Sequence, residues 1–233
     1  MKNHSATESA VAKFPLILIA GGKSSRMGQP KGLVSFEGEP WILHQLRSFR
    51  DAGGTRAVVV LGYGAQDYFA AIPQLIHAQD KWVTLPDVPG IQVGVCENAL
   101  PEHGPFSSIQ AGILRLGWRA EHETQNRGAY ILPVDCPAAS PSTWQRLSET
   151  FLGSTIDCCL PELPGGRGGH PVLISQALAN LTVTLDPAAP KSRLDQVIRE
   201  LRPERLTRVS VEDPRVGMNL NTPEDWLQLR GVL

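Results

Sequence analysis

The segment Ile19-Ala-Gly-Gly-Lys-Ser-Ser-Arg-Met-Gly-Gln-Pro-Lys31 concentrates the residue types that handle phosphate. Glycine lets backbone N–H groups come close to phosphate oxygens, because no Cβ intervenes and positive φ is open to it. Lys23, Arg26 and Lys31 add three cations to the same loop. A planar guanidinium fork and a point-charge ammonium are the usual phosphate partners. Two familiar phosphate loops do not fit. A Walker A motif ending at Gly22-Lys23-Ser24 needs a glycine at position 17, which is Ile17. A G-x-G-x-x-G fingerprint fails because Gly21 and Gly22 are adjacent and the next glycine is Gly28. The alternative to a phosphate loop of a third kind is a strand-to-helix turn with surface cations. A second candidate is Asp135, which follows the apolar run Tyr130-Ile-Leu-Pro-Val134. A carboxylate at the carboxyl end of a buried strand is placed to hold a divalent cation through oxygen. Its competing role is an N-cap for the turn that follows.

The elements that must position these groups read as alternating strands and helices. Phe14 to Ala20 is continuously apolar and ends in Gly21-Gly22, which suits a strand buried on both faces. Pro40 to Ala52 carries Trp41, Leu43, Leu46 and Phe49 at helical spacing before Gly53-Gly54. Arg56 to Leu61 is a second strand, followed by the stretch Gln66 to Ile76. Ile91 to Cys96 is a third strand, and Ser107 to Leu116 a helix with Ile109, Ile113 and Leu116 on one stripe. Ala129 to Val134 and Ser142 to Phe151 are the next strand and helix. Beyond Gly153, 157–160 and 171–174 are strand-like and flank the glycine-rich 165–169. Ser192 to Leu201 is amphipathic, Leu206 to Val211 strand-like, and Pro223 to Leu229 a last helix. His77 to Gly90, with two prolines and no period, is an excursion. This order predicts an α/β fold: a three-layer α/β/α sandwich on a mostly parallel, Rossmann-like sheet. No composition shift divides it, so a single domain is expected over 14–233, behind a disordered N-terminus at 1–13.

Composition removes several function classes. Lys+Arg 22 against Asp+Glu 23 leaves a net charge of −1, without the basic excess of a nucleic-acid binder. No apolar stretch approaches the roughly 18–20 residues of a membrane span, and Met1 to Ala12 lacks a signal peptide's apolar core. Cys96, Cys136, Cys158 and Cys159 form no C-x-x-C pair, so neither a zinc knuckle nor a disulfide framework is suggested. The expected location is the cytoplasm.

The loop Ala20-Gly-Gly-x-Ser-x-Arg-Met-Gly-x-x-Lys31 resembles the signature loop of nucleotidyltransferases with the GT-A-like fold. It is most similar to the branch containing molybdenum cofactor guanylyltransferase and molybdopterin cytidylyltransferase. The resemblance continues in Phe36-Glu-Gly-Glu-Pro40, Gly104-Pro-Phe-Ser-Ser-Ile-Gln-Ala-Gly112, Leu132-Pro-Val-Asp-Cys-Pro137, Gly169-His-Pro-Val172 and Asn219-Leu-Asn-Thr-Pro-Glu-Asp225. These segments span 14 to 226 in the family's order, nearly the whole chain.

The resemblance implies transfer of a nucleoside monophosphate from an NTP to the phosphate of molybdopterin, with Mg²⁺ as cofactor and pyrophosphate released. Ala20, Gly21 and Gly22 would meet base and ribose, Arg26 the β/γ phosphates, Lys31 the α-phosphate, and Lys23 a further phosphate or only solvent. Asp135 would be the metal carboxylate. Many relatives carry Asp where this chain has Asn219 and Asn221; the guanylyltransferase type also shows Asn. Asn219 is then a metal ligand through its carbonyl oxygen, and Asn221 lies on the acceptor side or shapes the turn before Thr222. Asn98, Gly104, Ser107 and Ser108 resemble the segment that reads base and ribose, although either serine equally suits a helix N-cap. His170, Lys191 and Arg193 resemble the acceptor side, with packing and solvated cations as alternatives. The loop favours GTP, whereas Gly104-Pro-Phe-Ser-Ser and Gly169-His-Pro-Val look as much like the cytidylyltransferases, which keeps CTP open. A molybdoenzyme or its chaperone would be the further partner. Two other functions remain: a sugar- or alcohol-phosphate nucleotidyltransferase on the same fold, and an inactive nucleotide-binding regulatory module, motivated by the two asparagines.

Overall fold

The structure, a computed structural model, describes residues 9–23, 28–118 and 127–232. Its first strand, β1 Leu16–Ile19, is buried along its whole length. A small hairpin follows, β2 Ser35–Phe36 and β3 Glu39–Pro40. Its turn residues Glu37 and Gly38 both have positive φ, the conformation a two-residue hairpin loop with strand-matched twist requires. Then come α1 Trp41–Asp51, β4 Arg56–Leu61, α2 Ala65–Ala71 and α3 Gln74–His77. β5 Val83–Leu85 and β6 Val88–Glu97 lead to α4 Gly104–Leu116. β7 Gly128–Pro133 and α5 Pro141–Leu152 follow. The last part holds β8 Cys158–Leu163, β9 Arg167–Gly168, β10 Val172–Ser175, α6 Gln176–Thr184, α7 Leu194–Arg199, β11 Leu206–Ser210 and α8 Pro223–Arg230.

The main sheet runs β11-β8-β10-β7-β1-β4-β6-β5, with β9 paired to β8. β7, β1, β4 and β6 are parallel neighbours; β10 is inserted antiparallel between β7 and β8. Side chains alternate along each strand, as a period of two demands. Leu16, Leu18, Val59, Leu61, Tyr130 and Leu132 pack on one face with Trp41, Phe49 and Trp144. Ile17, Ile19, Val58, Val60 and Ile131 pack on the other with Phe106, Ile109, Leu178 and Ile198. Helices therefore cover both sides of a mostly parallel sheet, the predicted three-layer architecture. Ile19 pairs with Val60 on one side and Pro133 on the other. The carboxyl ends of β4, β1 and β7 thus lie level, and the loops that leave them share one edge. Among the described residues no helix is long and apolar enough to cross a membrane.

Four local expectations are corrected. Residues 9–13, expected to be frayed, form a capped 3-10 turn over Ala10–Lys13 with Val11 fully buried; residues 1–8 lie outside the described ones. The stretch 66–76 is split into α2 and α3 at Ile72, which leaves helical geometry with φ −135° before Pro73, as proline disfavours the α region for its predecessor. The excursion 77–90 contains β5, folded back antiparallel on a β6 longer than the expected third strand. Helix α6 has no counterpart among the elements read from the sequence. It starts directly from the last residue of β10, Ser175, whose hydroxyl caps it by accepting from Leu178 N at 3.0 Å. Its β-branched Thr182-Val183-Thr184 end masks the helical period.

Candidate active site

The loop after β1 and the loop after β4 touch backbone to backbone. Tyr63 N donates to Gly21 O at 3.2 Å. A Cβ at Gly62 would lie 2.8 Å from that same oxygen, so only glycine permits the approach. Ala20 is buried and continues the β1 ladder by donating to Val60 O at 2.8 Å. Nothing lies within 4 Å of where a Gly22 Cβ would stand, so this backbone opens into a cleft of about 660 Å³. Gly21, Gly22, Lys23, Lys31, Asp135 and Asn221 line that cleft.

Lys31 heads a 3-10 turn, Lys31–Leu33. Gly32 N donates to the Tyr68 hydroxyl at 3.1 Å, and a Cβ at Gly32 would stand 2.6 Å from that oxygen. Burial pushes the Tyr68 phenol up to about 12, so it stays neutral and serves as acceptor. From this anchored turn the Lys31 ammonium reaches Asp135 Oδ2 at 3.0 Å and Asn221 Oδ1 at 2.7 Å. Three residues spread over 190 positions of sequence therefore meet at one point.

Asp135 stands two residues past the end of β7, after Val134 N has extended the ladder by donating to Ile19 O at 2.8 Å. It caps no helix: α5 is capped by Ser140, whose hydroxyl accepts from Thr143 N. Leu220 N donates to Asp135 O at 2.7 Å, which ties the 219–221 segment to the β7 loop. The α8 capping box fixes that segment's other end, with Asn221 N and Thr222 N donating to Asp225 Oδ2. Asn219 Oδ1 is 3.3 Å from Cys136 Sγ, the residue beside Asp135. Burial raises the Cys136 thiol well above the ordinary range, and the neighbouring Asp135 carboxylate adds to this, so it is a small protonated neighbour and no nucleophile.

A divalent cation fits this donor set. Among the described residues no group of three or more His, Cys, Asp and Glu gathers. One carboxylate, Asp135, and one amide oxygen, Asn219, nevertheless suit a hard cation that keeps several waters and takes further ligands from phosphates.

The segment expected to read the base is divided by the structure. Asn98 and Ser107 are buried, and Asn98 Nδ2 donates to Ser107 Oγ at 2.8 Å and Ser108 Oγ at 3.0 Å. Asn98 Oδ1 accepts from Leu100 N, and the Ser107 hydroxyl bonds Leu100 O and Gly104 O. These two hold the β6–α4 loop from beneath, while Gly104 and Ser108 line the cleft itself. Neither serine is the N-cap, because α4 begins at Gly104. Arg26 lies outside the described residues.

A second cleft of about 780 Å³ adjoins the first and shares Ile19, Pro133, Cys136, His170 and Asn219 with it. His170 Nδ1 faces Ile131 O at 3.4 Å, and burial lowers its pKa, which keeps the ring neutral at pH 7. Arg193 lines this cleft and pairs with Asp195 at 2.9 Å. Lys191 is exposed and is not among the lining residues. Sequence reasoning missed Arg167, Arg199 and Arg208, which line the same cleft. Arg167 sits inside the glycine run 165–169, a signal that was readable; Arg199 and Arg208 meet it only through folding. Also missed was Tyr63, set between Gly62 and Gly64, whose ring centroid lies 4.8 Å from Lys23 Nζ at the mouth of the first cleft.

A family profile, the MobA-like NTP transferase domain, matches residues 16–207. The chain belongs to this family. It is a nucleotidyltransferase, and the expected resemblance holds across the fold. A molybdenum cofactor guanylyltransferase from Xanthomonas euvesicatoria pv. vesicatoria (strain 85-10) is 26% identical over 220 residues, 91% of this chain and 92% of the relative. The crystal structure of Rv0371c from Mycobacterium tuberculosis H37Rv shares the fold at a TM-score of 0.68 and 19% identity, covering 95% of this chain and 100% of that one. Molybdopterin-guanine dinucleotide biosynthesis protein A from Archaeoglobus fulgidus shares it at a TM-score of 0.63 and 15% identity, over 94% of this chain and 98% of that one. Within the MobA-like family, the Gly21-Gly22 loop, Lys31 and Asp135 sit together at one sheet edge in this chain.

Proposed function

We propose that this enzyme transfers a nucleoside monophosphate from an NTP, GTP in preference to CTP, to the phosphate of molybdopterin and releases pyrophosphate. The observation that carries the reading is the Lys31–Asp135–Asn221 cluster, which lines the 660 Å³ cleft, while a second cleft lined by arginines adjoins that cleft through Cys136, His170 and Asn219. The donor occupies the first cleft and the acceptor the second. An acceptor phosphate oxygen attacks the α-phosphorus in line, and the bond to the bridging oxygen of pyrophosphate breaks. There is little covalent work for the protein in such a step; positioning and charge neutralisation dominate.

The backbone at Gly21 and Gly22 accepts the nucleotide closely, with Ser108 and Gly104 on the facing wall and Lys23 at the mouth over Tyr63. Lys31 is held by Asp135 and Asn221 and meets the charge that grows on the α-phosphate; Arg26 serves the β/γ phosphates. Asp135 and Asn219 would hold Mg²⁺, which would supply further neutralisation of the phosphates. His170, neutral by burial, and Arg193 orient the acceptor, and Lys191 attracts it from outside the wall; Asn221, expected on the acceptor side, lines the donor cleft instead and holds Lys31. The reaction belongs to the cytoplasm, in a single domain, and its product passes to a molybdoenzyme or its chaperone.

The deciding test is pyrophosphate release with molybdopterin and Mg²⁺ and each of GTP, CTP, ATP and UTP, alongside thermal stability with each nucleotide. A donor present at a hundred times its dissociation constant adds about 2.7 kcal/mol of stability. Release with GTP alone is expected. Release only with a sugar or alcohol phosphate as acceptor would move the reading to that class, and nucleotide binding without any release would make the chain a regulatory module.

A further inference from the structure

The loop between β7 and α5 carries Asp135 but is itself buried: Val134, Cys136, Ala138 and Ala139 are all nearly solvent-free. Its backbone groups lie outside any strand or helix, so each needs a partner from elsewhere. Two of the partners come from α1, on the sheet face opposite to α4. Trp41 Nε1 donates to Val134 O at 2.7 Å. One turn on, Gln45 Nε2 donates to Cys136 O at 2.7 Å, and Gln45 Oε1 accepts from Ala138 N at 2.6 Å. Side chains of α1 thus grip the carbonyls on both sides of Asp135.

Gln45 is the informative residue. It has no solvent exposure at all, and it sits on a helix face otherwise made of Trp41, Ile42, Leu46 and Phe49. A buried amide is costly unless it is paired, and an apolar residue would fill the same space without that cost. Both ends of this amide are used, and both are used on the Asp135 loop.

We propose that Gln45 is a positioning residue for the Asp135 carboxylate. It touches neither cleft. It acts by fixing the peptide planes at Cys136 and Ala138, and hence the direction in which the Asp135 side chain leaves the loop toward Lys31 and a bound cation. The inference rests on the proposed metal role of Asp135. Partners that orient a metal ligand typically contribute about 10- to 100-fold in metal affinity or activity.

The test is Gln45→Met, which keeps the volume and removes the hydrogen bonds, with Trp41→Phe as a second variant that removes one donor to the same loop. Ser148→Ala is the control: it removes a buried bond to the Tyr130 hydroxyl, in which no residue of the loop takes part. Mn²⁺ is titrated into each protein by electron paramagnetic resonance, with a non-hydrolysable analogue of the donor nucleotide present; kcat, the donor KM and Tm are measured alongside. Expected for Gln45→Met is Mn²⁺ binding weakened about 10-fold or more, kcat lowered with the donor KM unchanged, and kcat recovering as Mn²⁺ is raised. Trp41→Phe should move the same way by less, and Ser148→Ala should lower Tm alone. Wild-type Mn²⁺ binding and kcat in both α1 variants would overturn the proposal, as would a loss equal to that of Ser148→Ala. An Asp135→Asn protein that binds Mn²⁺ normally would instead overturn the metal reading itself.

Discussion

The two adjoining clefts are built differently. In the first, the central ion pair is partly withdrawn from water and fixed by short bonds: the Lys31 and Asp135 side chains are 15% and 33% exposed. Their loops leave the ends of β1 and β7, central strands that are each paired on both sides, β1 between the parallel β4 and β7, and β7 between β1 and the antiparallel β10. In the second, Arg193, Arg199 and Arg208 are 69%, 70% and 47% exposed, the first two paired with the exposed Asp195 and the third with the half-buried Glu162. A fixed, partly desolvated pair acts with little reorganisation when charge develops. Exposed arginines attract an anion from solution and adjust to its shape, but salt screens them. On the proposed reaction, this difference assigns the chemistry to the first cleft and recognition of the acceptor to the second.

Breaking the first cleft should have the largest effect. Asp135→Ala is expected to abolish turnover while the far-ultraviolet circular dichroism spectrum stays that of the wild type; near-normal pyrophosphate release would remove Asp135 from the site. Lys31→Ala should lower kcat by about 100- to 1,000-fold, the usual loss when a group aimed at developing charge is removed. Its donor KM should change little, because the interaction strengthens in the transition state. Steady-state kinetics in which KM rises and kcat holds would make Lys31 a simple binding residue.

The same contrast separates what the sequence displayed from what it hid. The buried parallel strands were legible because β1 and β7 are apolar at every position, and the groups at their ends followed from the fold rule for such sheets. Lys31 was legible as a cation in a glycine loop, but its meeting with Asn221 depends on α8 returning to the β7 loop, a contact no local pattern encodes. Asn98 and Ser107 look like ligand-reading residues in one dimension; only folding reveals that they satisfy one another beneath the wall. Most of the second cleft was hidden, because Arg199 sits on α7 and Arg208 on the edge strand β11, and each reads alone as a solvated charge.

A smaller effect is expected from the second cleft. Arg193→Ala should raise the acceptor KM by about 10-fold or less, in the range of one partly exposed charge-assisted contact, and leave the donor KM unchanged. Raising the salt concentration should bring wild type and variant together, since screening removes what the substitution removes. Persistence of the difference at high salt would show that Arg193 is as fixed on its ligand as Lys31 is on Asp135, and the contrast between the clefts would fail.

The smallest predicted effect concerns two carboxylates that brace the two regions. Burial would raise the Asp213 carboxyl, but the Arg215 guanidinium and the Ser140 backbone N–H outweigh it and hold it below the ordinary range. Asp213 thereby anchors the end of the loop that carries Asp135. Burial likewise opposes, and the Arg205 fork with the Ser175 hydroxyl reverses, the shift at Asp157, which ties β8 to the chain entering β11. Both folded pKa values lie below the unfolded value of about 3.9. The stability each contributes is complete above that value and is lost as pH falls through the lower folded value. Tm should therefore fall on acidification below about pH 4, and each Asp→Asn variant should start lower at pH 7 and fall less steeply. Asp213, whose side chain is 5% exposed, should show the larger change; Arg205, at 41%, is screened by solvent. A steeper acid limb in Asp213→Asn than in wild type would reverse the sign of this linkage. Equal changes in the two variants would mean that β8 and β11, which carry Leu160 and Arg208 of the second cleft, are braced as firmly as the loop that carries Asp135.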